Sequence, residues 1–176
     1  MATDLDRLGR MDLEAFTEAL GAVFESSPWV AAVAWEKRPF ETVGELHDAM
    51  VSAVAGAPRE QQVALIRAHP DLAGKAAIAG EIAVASRVEQ RGAGLDQLTA
   101  EEFARFQTLN ERYRKRFEFP FIVAVRGHDK HTILEAFELR LQNGVAAERR
   151  RALEEIARIA RFRLDDLVEI SERTTS

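Results

Sequence analysis

Few side chains in this chain sit where their type and spacing could do chemistry. His69 stands directly before Pro70 in R-A-H-P-D-L-A-G-K (67–75). Imidazole is the side chain whose ordinary pKa lies nearest neutral pH, which suits proton transfer. The following proline disfavours helical geometry at residue 69 and places it in an extended or turn conformation. His69 is therefore either a hydrogen-bonding residue at a helix end or an acid–base group on a stiff backbone. Glu89 poses a similar choice. Ile82, Ala85, Ser86 and Glu89 share one helical face by steps of three and four, so this carboxylate either closes a frayed helix end or points into a pocket, with Gln90 beside it. Towards the C-terminus, Leu153, Ile156, Ala160, Leu167 and Ile170 form an apolar stripe with a gap that Arg163 fills. An arginine at the edge of such a stripe either snorkels or offers its planar fork to a carboxylate.

Other arrangements carry less. His128 and His131 form H-x-x-H, but no cysteine accompanies them and Asp129 and Lys130 lie between, so a zinc site is not expected. His47 lies in a helix with no evident partner. A-G-K-A-A-I-A-G lacks the G-x-x-x-x-G-K-[ST] spacing of a phosphate loop. Gly92-x-Gly94 follows a helix rather than a strand, against a dinucleotide fingerprint.

The elements that must position these residues are helical almost throughout. Leu13, Phe16, Leu20, Val23 and Phe24 keep helical spacing up to Pro28, and Trp29 to Trp35 makes a short second helix. Thr42 with Glu45, and Thr99 with Glu102, are capping boxes. Pro58 suits a first helical position. Further helices are expected over about 75–91, ending at Gly92-Ala-Gly94, from Thr132 to Leu141, closed by Asn143-Gly144, and over about 146–171. F-E-F-P-F-I-V-A-V-R-G (117–127) breaks the pattern: a continuous apolar run, rich in β-branched residues and interrupted by Pro120. If extended, its peptide groups need partners outside the segment, from neighbouring protein or from a ligand.

With 176 residues, 47% hydrophobic and 30% charged, the chain is expected to be one soluble domain spanning 1–176. The fold expected is all-α, a bundle of about eight helices with one short extended segment near 118–126. A net charge of −5 gives no general attraction to nucleic acid or to anionic membranes. The basic clusters R-Y-R-K-R-F (112–117) and E-R-R-R (148–151) lie beside acidic residues and read as solvated helix faces. No apolar stretch approaches the roughly 20 residues that span a bilayer. No signal peptide or Ser-Lys-Leu ending is expected, which places the protein in the cytoplasm.

Taken together, H-P-D-L-A-G-K (69–75), S-x-x-E-Q (86–90) with G-L (94–95), F-P-F-I-V-A-V-R-G (119–127) and I-x-x-I-A-x-x-R-L-x-D-L (156–167) resemble the 2-oxo-4-hydroxy-4-carboxy-5-ureidoimidazoline (OHCU) decarboxylase family over roughly residues 10–170. The resemblance implies an all-α homodimer that uses no metal or organic cofactor and converts OHCU to (S)-allantoin in urate breakdown. It implies that His69 is catalytic with Glu89 beside it, that Ser86 and Gln90 contact substrate, and that Pro70 orients the histidine. It further implies that the backbone of Ile122, Val123 and Ala124 hydrogen-bonds the substrate and that Arg163 binds its polar edge. The alternatives are a non-catalytic helical module for a small molecule or partner, and a decarboxylase of the same fold acting on a related ureido acid. A DNA-binding domain is disfavoured by the charge.

Overall fold

A computed structural model of the chain describes residues 4–74 and 81–172, and among these all regular structure is α-helical. The helices are α1 (Leu5–Arg10), α2 (Leu13–Leu20), α3 (Trp29–Trp35), α4 (Val43–Ala55), α5 (Arg59–Ala68), α6 (Val84–Gly92), α7 (Ala100–Phe117), α8 (Lys130–Arg140) and α9 (Val145–Glu172). They gather into two compact units. One holds the chain up to Ala68 and from Ala157 onward; the other is His69–Ile156.

In the first unit α2 packs on α3 and α3 on α4, around Leu8, Phe16, Leu20, Val30, Leu46 and Met50. The helical spacing read through Phe24 stops earlier: α2 ends at Leu20, and Val23 and Phe24 enter the core from turns. The Thr42 cap forms only in part. Its hydroxyl accepts from the Glu45 N–H at 3.1 Å, but the Glu45 carboxylate accepts from Glu41, not from Thr42. Pro58 precedes α5 and its carbonyl accepts from Gln61 and Gln62. In the C-terminal part of α9 the buried row runs through Ile159, Ala160, Leu164 and Val168, while Leu167 of the expected stripe is exposed. Ile170 lies where side chains are outside the described residues.

The second unit is built on α7. The Thr99–Glu102 capping box closes in both directions, and Glu102 also accepts from Lys130 at the start of α8. The Lys130 hydrogen bond, then the Thr99 N–H, hold the Glu102 carboxyl down to about 2. At α8 the expected start at Thr132 moves back to Lys130, because Asp129 is the N-cap and forms its own box with Thr132. Helix α6 starts at Val84. Residues 81–83 of the expected 75–91 helix are not helical, and 75–80 lie outside the described residues.

The 119–125 run is not helical and is wholly buried. Two of its peptide groups meet side chains, and the Val125 carbonyl accepts from the His128 N–H at 2.9 Å. The Arg140 guanidinium donates to the Ile122 carbonyl at 2.5 Å and lies 4.5 Å from the Phe121 ring centre. The Ala124 N–H faces Glu155 at 3.4 Å. Arg140 in turn pairs with Glu148 at 2.9 Å, a carboxylate that is fully buried and also accepts from the Tyr113 hydroxyl and from Asn143. Tyr113 packs edge-on to Phe119, Phe121 and Phe137.

Burial, then the hydrogen bond to Glu148, push the Tyr113 hydroxyl well above its ordinary value of 10.0. Its stabilising contribution is therefore complete below pH 10 and is lost as the pH rises beyond it. Tyr113 is the only tyrosine, so tyrosinate absorbance reports it alone. That absorbance is expected to lag free tyrosine and to rise together with loss of far-ultraviolet helicity. Ionisation near pH 10 with helices intact would contradict the buried hydrogen bond.

Candidate active site

The loop His69–Gly74 follows α5 and carries the histidine. His69 is buried, at 6% exposure, while Pro70 and Asp71 are half-buried. The loop turns tightly: a Cβ on Gly74 would stand 2.8 Å from the Asp71 Cβ. Ala73 has a φ of 51°, a left-handed conformation that costs an L-residue about 1–2 kcal/mol. Such a residue persists when its surroundings over-determine it. Here the Ala73 N–H donates to the Gln90 side-chain oxygen at 3.0 Å, and the Ala73 carbonyl accepts from Gln107 at 2.8 Å.

Helix α6 supplies Ser86, Glu89 and Gln90. Ser86 and Gln90, four residues apart, form its buried side, and Glu89 is half-buried. Ile82 lies before the helix and does not extend this face. Gln90 is the predicted site residue most firmly placed with the His69 loop. Its oxygen takes the Ala73 N–H and its nitrogen donates to the Asp71 carbonyl at 3.3 Å, so both ends of the amide are engaged with the loop. Within the same unit, the Ile122 carbonyl is taken by Arg140 and the Ala124 N–H faces Glu155.

Arg163 belongs to the other unit and is buried at 8% exposure. Its Nη1 donates to Glu25 at 3.1 Å and to the carbonyls of Ala22 and Val23 at 3.2 and 3.3 Å. Glu25, itself buried at 6%, was not singled out by sequence reasoning, and a carboxylate in the irregular chain after α2 leaves no periodic signal. Of the histidines set aside, His128 bonds Thr132 and His47 bonds the Ala157 carbonyl. Among the described residues no cluster of His, Asp and Glu could hold a metal ion.

A family model for OHCU decarboxylase matches residues 9–165. The chain belongs to that family. It is similar to the 2-oxo-4-hydroxy-4-carboxy-5-ureidoimidazoline decarboxylase of Haloferax volcanii, with 44% identity over 91% of this chain and 93% of the relative. The mouse protein of that name is 36% identical over 94% of this chain and 93% of its own. A crystal structure of an (S)-allantoin synthase superposes with a TM-score of 0.77 and 30% identity, covering 94% of this chain and 54% of that one.

The geometry assigns Gln90 a share of the loop's stability without any ligand present. Gln90→Ala is expected to cost about 1–3 kcal/mol in urea unfolding, because it leaves buried peptide groups of Asp71 and Ala73 without partners. Wild-type stability in that variant would show that the amide does not hold the loop.

Proposed function

We propose that this protein decarboxylates OHCU to (S)-allantoin, the activity for which its relatives are named. The observation that carries the reading is the buried His69 on a loop held in a strained, over-bonded conformation in a chain of this family.

The substrate bears its carboxylate on a carbon that also carries a hydroxyl and a ring nitrogen. When the bond to CO2 breaks, its electron pair forms a C=C bond to the neighbouring ring carbon while the C=N electrons move onto nitrogen, which takes a proton. The enol then becomes allantoin as its hydroxyl gives up a proton and the ureido-bearing carbon takes one on one face. The substrate is thus its own electron sink, and the tasks left to protein are holding, charge stabilisation and delivery of one proton to one face. His69 is assigned that proton transfer, with Glu89 acting beside it and Pro70 limiting the backbone. Ser86, Gln90 and the chain at Ile122–Ala124 are assigned to the substrate's polar groups. Arg163, whose Nη1 is fixed by Glu25 and two carbonyls, is assigned the ureido or carbonyl side. Too firm a grip on the departing carboxylate would stabilise the ground state and slow the reaction. The protein is proposed to act as a homodimer in the cytoplasm; no helix among the described residues is long and apolar enough to cross a membrane.

The test generates OHCU in place from urate with urate oxidase and hydroxyisourate hydrolase and follows circular dichroism. Rapid loss of the OHCU signal with gain of an (S)-allantoin signal is expected, and His69→Asn is expected to abolish the acceleration while unfolding like wild type. Decay to racemic allantoin at the protein-free rate would refute the reading. Arg163→Lys is expected to weaken substrate binding, since lysine lacks the planar fork; unchanged affinity would make Arg163 purely structural.

A further inference from the structure

The loop carrying His69 is tied down by more than Gln90. Helix α7 presents Gln107, Asn110 and Arg114 at i, i+3 and i+7, which is one helical face, and all three reach the loop. Gln107 donates to the Ala73 carbonyl at 2.8 Å, Asn110 to the Leu72 carbonyl at 3.0 Å, and Arg114 pairs with the Asp71 carboxylate at 2.9 Å. Asn110 is 5% exposed, an uncommon place for an amide. The bonds fall on consecutive residues immediately after Pro70. The loop could present its carbonyls to water at little cost; instead buried amides are spent on them, and the strained Ala73 is gripped at both its N–H and its carbonyl.

We infer that Gln107 and Asn110 are positioning residues that fix the Asp71–Ala73 backbone so that His69 presents its imidazole to one face of the substrate. The inference rests on the reading of His69 as the proton-transfer group. Neither residue touches the reacting atoms. Their effect runs through the backbone: with Leu72 and Ala73 released, the loop samples other arrangements, and water competes with His69 for the protonation step.

The experiment compares wild type with Asn110→Ala and Gln107→Met, the second an apolar replacement of similar length at a half-buried site. Turnover, KM and the enantiomer ratio of allantoin are measured at a temperature where each variant is folded by far-ultraviolet circular dichroism. The expected result is a kcat lower by roughly 10- to 100-fold, as a small misplacement of a reacting group costs, with KM little changed and (R)-allantoin appearing in the product. Folded variants that keep wild-type kcat and enantiomeric purity, losing only thermal stability, would overturn the inference. Gln107→Met decides the matter if Asn110→Ala does not fold. If wild type itself does not accelerate the reaction, the functional reading fails. The positioning is then judged on the His69 imidazole resonance, assigned by its loss in His69→Asn: a changed shift and titration in Gln107→Met sustains it, and an unchanged one overturns it.

Discussion

The second unit depends on one buried charge pair, Arg140 with Glu148. Removing two charges from water is costly unless every polar atom is met inside. Glu148 is met by Arg140, by the Tyr113 hydroxyl and by Asn143. Arg140 spends a further nitrogen on the Ile122 carbonyl and lays its plane over Phe121. The Arg140 contacts that make the pair tolerable are therefore also ones that hold the non-helical run. Residues 119–125 have no ladder and no helix to pair their peptide groups. A charge pair on α8 and α9 supplies the fixed point that regular structure would otherwise provide. Apolar replacements of Arg140 and Glu148 could match the volume and even the stability, but they would leave the Ile122 carbonyl buried without its donor.

The same device recurs at the other non-helical segment of that unit. Helix α7 serves both: Phe106, Leu109 and Tyr113 face the aromatic core, and Gln107, Asn110 and Arg114, one position further round, face the His69 loop. One long helix, closed by a capping box at its start and by Glu118 in the left-handed region at its end, thus holds two irregular stretches by their backbone. Irregular chain is where a fold can aim peptide groups and a histidine freely, and it is rigid only where side chains take the place of a ladder.

These arrangements differ in how far the sequence discloses them. Helix existence was legible because apolar spacing and caps are local: Thr99 with Glu102 reads directly from four residues, and the helix Trp29–Trp35 from the proline before it. The Thr42 box half-failed because Glu45 had another donor within reach, at Glu41, which spacing alone cannot rank. The expected 75–91 helix is interrupted at residues 81–83, which share a helix-compatible composition with Val84–Gly92, so spacing alone does not mark the break. The stripe on α9 missed Leu164 and Val168 and included the exposed Leu167, because burial is set by packing partners that spacing alone does not name. His69, Glu89 and Arg163 could be picked out as ionisable groups in constrained or apolar settings, although naming a substrate needed the family motifs. The row of Gln107, Asn110 and Arg114 was present as spacing, but a polar helix face ordinarily means solvent, and only the loop packed against it shows otherwise. Glu25 left no pattern at all, since its pairing with Arg163 spans well over a hundred residues of chain.

A decarboxylation in which the substrate is its own electron sink places an unusual demand on the protein. No strong acid is required, because the ureido-bearing carbon of the enol takes a proton from any donor, water included. What distinguishes a useful active site is that one donor, on one side, is present before water is. Acid strength is then secondary to persistence of position. That ordering of needs fits this unit, where the described polar bonds around the His69 loop fall on backbone groups of residues 71–73 and on the Asp71 carboxylate. Electrostatic preorganisation is usually discussed as charges aimed at charges; here the fold invests buried amides in the main chain that follows His69, the residue proposed for the proton transfer.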